Sequence, residues 1–156
     1  MHRFCYPVDL AADQDGGYVV SFGDVPEAIT QGDTLDEALE QATDALDEAI
    51  SGRIRLREEI PAPSSARPGQ HIVTLPIETA AKAALYVSIR EAGLNKVELA
   101  ALLGMDEKEV RRLLDPYHAS KLPRIETALE ALGKRLVIVV RDVEDERQVE
   151  LAAAGT

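Results

Sequence analysis

Cysteine is almost absent from this chain, which has Cys5 alone among its 156 residues. A disulfide within the chain is therefore excluded, and this cysteine usage is typical of a reducing, cytoplasmic setting. The histidines, His2, His71 and His118, are too scattered in sequence to indicate a zinc site. We expect no metal ion and no cofactor.

Long apolar runs are also missing. The apolar stretch at residues 136–140 is far shorter than the roughly 20 residues that a membrane-spanning helix needs. The first residues lack the basic, apolar and small segments of a secretion signal. We therefore expect a cytoplasmic protein that has no membrane partner.

Basic residues are scarce, since 17 Lys and Arg stand against 28 Asp and Glu, and the formal net charge is −11. Residues 1–60 hold 4 basic and 14 acidic side chains, residues 61–141 hold 12 and 9, and residues 142–156 hold 1 and 5. Phosphate contacts require local positive charge, so a surface for nucleic acid belongs to the middle segment, whereas the first segment attracts a basic partner. Halves of opposite charge suggest two different partners.

A segment rich in proline, serine and glycine at residues 60–70 separates these halves and can hold no regular element. We expect a first domain at residues 1–76 that includes this connector, a second domain at residues 77–141, and a disordered acidic tail at residues 142–156. Domains of roughly 75 residues are near the lower limit for a self-supporting core, so oligomerisation is expected.

The first domain is predicted to combine a sheet with one helix. Alternating apolar residues predict a first strand at residues 4–10, and Pro7 is expected to place it at an edge or a bulge. A turn at Asp15 leads into a second strand at residues 18–22, and a third at residues 28–31 completes an antiparallel meander. A further short strand before Pro76 is expected to return to the sheet.

Apolar residues recur at three-and-four spacing over residues 35–51, which predicts an amphipathic helix. Its opposite face is acidic and carries no basic residue; the candidate binding residues on it are Asp36, Glu40, Asp44 and Asp47. From the residues alone, a solvated face that keeps the protein soluble and a docking surface for a basic protein both remain open.

Residues 96–115 carry the spacing of a helix-turn-helix, with small Ala100 at the closest approach, Gly104 at the turn, and apolar Val110 and Leu113 on the second helix. DNA is therefore the first partner to consider. The open alternative is a helical hairpin that packs and binds nothing.

Six residues are predicted to form the DNA surface: Asn95, Lys108, Arg111, Arg112, Ser120 and Lys121. Lys108 and Arg111 are expected to contact base edges, because such side chains pair with guanine O6 and N7. Asn95 also caps the first helix of the motif, and Arg112, Ser120 and Lys121 are expected to contact phosphates. Glu107 and Glu109 either lower the affinity for DNA, select cytosine or pair with neighbouring basic groups.

Residues 134–141 are apolar on both faces of a predicted strand, so the strand needs a cover. The same strand of a second copy would supply one, and Leu136, Ile138 and Val140 are the predicted interface residues. Such a homodimer, or a higher homo-oligomer, would present two recognition helices to palindromic DNA. A strand packed back on its own domain is the alternative.

Three segments together resemble the signature of the HicB antitoxin family: GGYVV at residues 16–20, DVP at residues 24–26 and TQGDTLDEAL at residues 30–39. The connector and the C-terminal motif are similar to HicB members of this type as well, so the resemblance covers nearly the whole chain.

The resemblance implies an α+β protein with a partial ribonuclease H-like β-β-β-α-β domain, followed by an all-helical helix-turn-helix domain that ends in a dimerising strand. It also implies a non-enzymatic antitoxin that binds and neutralises a small basic HicA-type mRNA-cleaving toxin. The second domain would repress the pair's own operon by binding operator DNA.

Two other functions remain open. One is a transcription factor whose first domain senses a small ligand. The other is a residual metal-dependent nuclease that uses Asp9, Asp13, Asp15 and Asp24. Asp13 and Asp15 lie in a turn, where aspartate is favoured for local hydrogen bonds, which argues against catalysis.

Overall fold

The computed structural model describes residues 1–143. Within this range the chain forms two compact units, one of Met1–Ala49 with Pro61–Leu75 and residues 139–143, and one of Ile50–Ile60 with Pro76–Ile138. The sequence predicts disorder for the acidic tail at residues 142–156. From residue 144 onward this tail lies outside the described part of the chain. No helix in the described range is long and apolar enough to cross a membrane.

The first unit contains a four-stranded antiparallel sheet and most of one long helix, so the mixed α+β class is confirmed. In chain order its elements are β1 (Cys5–Ala12), β2 (Tyr18–Phe22), β3 (Ile29–Gly32), α1 (Leu35–Leu56) and β4 (His71–Thr74). The strands lie in the order β3-β2-β1-β4. The predicted meander and the returning fourth strand are therefore both present.

Pro7 does not lie on an edge strand, because β1 is hydrogen-bonded to β2 on one side and to β4 on the other. It pairs with Ile72 of β4 and precedes Val8, where the pairing with β2 begins. Phe4 accepts a hydrogen bond from the Leu75 amide, so the alternation of an antiparallel pair directs the nitrogen of Pro7 away from β4. The nitrogen of Pro7 therefore faces the β2 side of the strand, one residue before the pairing with β2 begins, so no hydrogen bond of the sheet is lost.

Helix α1 extends five residues beyond the predicted end, to Leu56, and buries one face through residues at helical spacing: Ala38, Ala42, Leu46, Ile50 and Ile54. At its start Thr34 Oγ1 accepts a hydrogen bond from the Glu37 amide at 3.2 Å. The apolar spacing continues to Ile54, and Arg57 then adopts a left-handed backbone with φ of 59°. The helix therefore ends one turn later than its alanine-rich part suggests.

The connector has no helix or strand, as predicted, but it is attached to the first unit by side-chain hydrogen bonds. The Tyr6 hydroxyl donates to the carbonyl of Pro61 at 2.8 Å. The Ser64 amide and hydroxyl both donate to Asp24 at 2.9 Å. Residues 61–70 are thus held by tertiary contacts that no local pattern indicates.

The second unit is built from four further helices: α2 (Ile77–Ala92), α3 (Lys96–Leu103), α4 (Glu107–Leu114) and α5 (Leu122–Ala131). Their apolar faces form one buried core, whose fully enclosed members include Leu85, Leu99, Val110 and Ile125. Gly93 ends α2 in the left-handed conformation with φ of 66°, which a residue with a Cβ adopts only under strain.

The strand predicted at residues 134–141 is absent from the single chain, where these residues form neither helix nor strand. The physical reason is that a strand requires a hydrogen-bonded neighbour, and none of the described strands pairs with this segment.

Candidate functional site

Helices α3 and α4 are joined by the three residues 104–106, and each helix begins with a complete capping box. Asn95 Oδ1 accepts from the Glu98 amide at 2.8 Å, while Glu98 Oε2 accepts from the Asn95 amide at 2.9 Å. Asp106 and Glu109 make the same reciprocal pair at the start of α4. The predicted DNA contact Asn95 therefore uses its side-chain oxygen to cap α3.

The turn between the two helices depends on Gly104, whose φ is 63°. The amide of Met105 then bonds to the carbonyl of Ala100 at 3.1 Å, which closes the end of α3. Ala100 itself is buried. The small residue and the glycine thus occupy the positions that a tight connection between two crossing helices requires.

Helix α4 separates an apolar face from a charged one. Val110 and Leu113 are buried in the core, whereas Lys108, Arg111 and Arg112 are exposed. None of these three cationic side chains makes an ion pair or a hydrogen bond within residues 1–143. The exposed face of α4 therefore offers positive charge that a partner can bind.

Glu109 is occupied by neighbouring groups. One of its carboxylate oxygens completes the capping box and the other lies 3.6 Å from the Arg124 guanidinium. Of the roles left open for Glu109, pairing with a nearby basic group is the one present in the structure.

Sequence reasoning missed Lys82, which lies beneath the loop that carries Ser120. This side chain is 3% exposed, and its ammonium donates to the carbonyl of Arg112 and to Ser120 Oγ. Burial lowers the pKa of Lys82 below its ordinary value of 10.5, while the carboxylates of Asp115 and Glu78 act in the opposite direction. The sequence signal that could have found Lys82 is its position on α2, because this lysine occupies a place where buried apolar residues recur. Lys121 follows Ser120 and is exposed.

The acidic face of α1 is present, but its four predicted residues are not equivalent. Asp36, Glu40 and Asp44 are exposed. Asp47 is half-buried, and its Oδ1 is enclosed and has no hydrogen-bond partner among the described residues. Asp47 is therefore less available to a partner than the other three.

The three residues predicted at a dimer interface also differ. Leu136 packs against the core of the second unit. Ile138 and Val140 are 61% and 91% exposed, within a run of exposed apolar side chains from Val137 to Val140. An exposed apolar run of this kind is typical of a surface that another molecule covers.

Two of the four aspartates considered for a nuclease, Asp9 and Asp24, are engaged in structural contacts. Asp9 accepts a hydrogen bond from the Gln70 amide group at 3.0 Å and lies 3.7 Å from the Arg67 guanidinium. Asp24 accepts the two bonds from Ser64. Within residues 1–143, no group of three or more His, Cys, Asp or Glu side chains is arranged to hold a metal ion.

Comparison with known proteins gives a consistent result. A family described as "HicB_like antitoxin of bacterial toxin-antitoxin system" matches residues 5–84. Antitoxin HicB of Escherichia coli (strain K12) is 39% identical over 135 residues, which cover 86% of this chain and 98% of that protein. Antitoxin HicB 1 of Photorhabdus laumondii is 38% identical over 144 residues, which cover 89% and 92% of the two chains. Antitoxin HicB of Pseudomonas fluorescens is 37% identical over 129 residues, or 82% and 88%.

Proposed function

The chain belongs to the HicB-like antitoxin family of bacterial toxin-antitoxin systems, and on this basis we propose that it acts through two separate surfaces. The first unit, in which we infer a partial ribonuclease H-like arrangement, binds and neutralises a small basic HicA-type mRNA-cleaving toxin. The second unit binds operator DNA as a helix-turn-helix and represses the operon that encodes the pair.

The observation that carries the DNA-binding part is the arrangement of α3 and α4. Two capped helices meet through a turn at Gly104, and α4 buries its apolar face while Lys108, Arg111 and Arg112 stay exposed and unpaired within residues 1–143. In helix-turn-helix proteins the second helix enters the major groove. Lys108 and Arg111 are proposed to read base edges, and Arg112, Ser120 and Lys121 to contact phosphates.

The toxin-binding part is supported by the charge of α1. Exposed carboxylates follow one another along its outer face at Asp36, Glu40 and Asp44. A ribonuclease that grips RNA carries a basic surface, and opposite charges accelerate the association of two proteins. The acidic face is therefore proposed to dock the toxin.

Dimerisation is supported by the exposed apolar run at residues 137–140. Paired with the same segment of a second copy, it would form a two-stranded ribbon and bury side chains that a single chain leaves open. A two-fold dimer of this kind would place two copies of α4 on palindromic DNA.

The test measures both activities on the same variants. Changing Arg111 and Arg112 to alanine should abolish the shift of a DNA duplex from the region upstream of the gene, because it removes a proposed base-specific contact of Arg111, worth about 1–3 kcal/mol, together with a proposed phosphate contact of Arg112. Neutralisation of the toxin should persist, because both side chains are exposed and their replacement should disturb neither the fold nor the acidic face of α1. A variant with Arg67 and Lys134 changed to alanine removes the same charge from outside α4 and should still bind the duplex.

The reciprocal variant carries Asp36→Asn, Glu40→Gln and Asp44→Asn. It should bind the duplex normally but associate more slowly with the small basic protein encoded beside the gene, and the difference should shrink as salt rises. Neutralising Glu126, Glu130 and Asp142 instead gives the matched control. Loss of toxin neutralisation in the arginine variant would contradict the assignment of separate surfaces.

A further inference from the structure

Lys82 of α2 ends in a cage of oxygen atoms inside the second unit. Four oxygens lie within hydrogen-bond distance of its Nζ and share its three N–H donors: the backbone carbonyls of Arg112 at 3.2 Å, of Asp115 at 2.5 Å and of His118 at 2.5 Å, and Ser120 Oγ at 3.1 Å. The acceptors are three carbonyls and one hydroxyl, none of them a carboxylate. The side chain is almost fully buried, so this arrangement is internal to the fold.

The cage gives the loop between α4 and α5 a fixed position. The last carbonyls of a helix have no partner within the helix and form the negative end of its dipole. At this end of α4 the Arg112 carbonyl accepts from the Asp115 amide at 3.3 Å and also from the ammonium of Lys82, which reaches two carbonyls of the following loop as well. A single buried cation therefore fixes both the end of α4 and the loop that leads to Ser120.

The chemistry of the cage also determines what the Ser120 hydroxyl can do. A lysine ammonium only donates hydrogen bonds, so Ser120 Oγ must be the acceptor in this contact. The hydroxyl proton consequently points away from Lys82, and within the described residues it meets no acceptor. Ser120 is partly exposed and precedes the exposed Lys121. The hydroxyl is thus held as an outward donor beside a positive charge.

We propose that Lys82 is a positioning residue for DNA binding, and that its buried ammonium holds Ser120 so that the serine hydroxyl donates to a backbone phosphate. This inference rests on the proposed DNA-binding function. It assigns a role to a lysine that does not itself touch the DNA.

The experiment uses the full chain and the upstream DNA duplex, with affinity measured over a series of salt concentrations. Ser120→Ala should weaken binding by about tenfold, because it removes one hydrogen bond to a charged group. The salt dependence should not change, since no cation is lost. Ser120→Thr keeps a hydroxyl and should restore most of the affinity. Thr127→Ala removes a hydroxyl that bonds to the Pro123 carbonyl on α5, and as the matched control it should bind normally.

The link to Lys82 is tested by a double-mutant cycle with Lys82→Met. Ser120→Ala should cause little further loss of affinity in the Lys82→Met background, whereas a lysine with only a general structural role would leave the two effects additive. Additive effects would therefore overturn the proposal. An unchanged affinity of Ser120→Ala would overturn it as well, while leaving the DNA-binding function intact.

Two further outcomes are distinguishable. If circular dichroism shows that Lys82→Met does not fold, the test rests on the DNA affinity of Ser120→Ala. This variant leaves the lysine and its three carbonyl acceptors in place. A tenfold loss that Ser120→Thr restores then supports the proposal, and unchanged binding overturns it. If the wild-type chain binds the upstream duplex no better than a scrambled one, the proposed DNA-binding function itself fails.

Discussion

Gly32 and Ala38 bring the end of β3 and the first turn of α1 into direct backbone contact. A Cβ atom at Gly32 would stand 2.4 Å from the backbone nitrogen of Ala38 and 2.6 Å from its Cα. These neighbours are backbone atoms and cannot move aside as the end of a flexible side chain can. The approach of α1 to the sheet therefore requires a residue without a side chain at this position.

Gly32→Ala should accordingly destabilise the first unit by about 1–3 kcal/mol, the usual cost of forcing a methyl group into a filled site. Urea unfolding, followed by circular dichroism, measures the effect. Gly23→Ala is the matched control, because a Cβ there meets nothing within 4 Å. Equal stability of the two variants would show that α1 shifts to accommodate the methyl group.

Asp47→Ala should raise the free energy of unfolding by about 0.5–1 kcal/mol. It removes an enclosed carboxylate oxygen that has no hydrogen-bond partner within residues 1–143, and alanine has a higher helix propensity than aspartate. Asp44→Ala lies on the exposed face of the same helix and gains only the higher helix propensity of alanine. It should therefore stabilise the protein less than Asp47→Ala does. Thermal unfolding of the two variants at one pH makes the comparison. A smaller gain for Asp47 than for Asp44 would indicate that Asp47 has a favourable contact.

Ile138→Lys should leave the single chain folded, since the side chain it replaces is exposed. If residues 137–140 pair with those of a second copy, the added charges would be buried without partners, and the assembly should dissociate at a cost of several kcal/mol. Sedimentation velocity reports the change in mass. Val97→Lys replaces an exposed apolar residue on α3 and serves as the control. An unchanged mass for Ile138→Lys would exclude this segment as the dimer contact.

Lys82 should make the stability of the second unit depend on pH in the alkaline range. Its folded-state pKa is lowered by burial, so between that value and 10.5 the unfolded chain binds more protons than the folded chain. Its contribution to stability therefore rises with pH across this window and is lost as pH falls through the folded-state pKa. The free energy of unfolding of wild type minus that of Lys82→Met should increase as the pH rises from the folded-state pKa of Lys82 toward 10.5. A flat difference would show that the pKa of Lys82 is unchanged by folding.

Much of the fold follows from local patterns in the sequence. Apolar spacing of two and of three-to-four predicts which segments are strands and which are helices, because it reports the period at which one face is buried. Asn95, Asp106 and Gly104 likewise mark helix ends through hydrogen bonds and backbone conformations that involve only near neighbours. Such features could be predicted because their physical cause lies within a few residues.

The prediction for β1 failed for the opposite reason. Pro7 suggested an edge strand because proline lacks an N–H. The structure places it on an inner strand, at the position where pairing with β2 has not yet begun. The register between two strands, and not the proline alone, decides whether a hydrogen bond is lost.

The sequence alone determined the order of the elements as far as α5, the family, the acidic face of α1 and the cationic face of α4. Only the tertiary structure decided that Asp47 is half-buried, that the connector is held by Asp24, and that Lys82 bonds to oxygens 30 to 38 residues later in the chain. The spacing of apolar residues indicates that a side chain faces inward, but it does not indicate which distant groups the side chain contacts. Those partners are set by how the elements pack, and for a buried ammonium the partners determine its role.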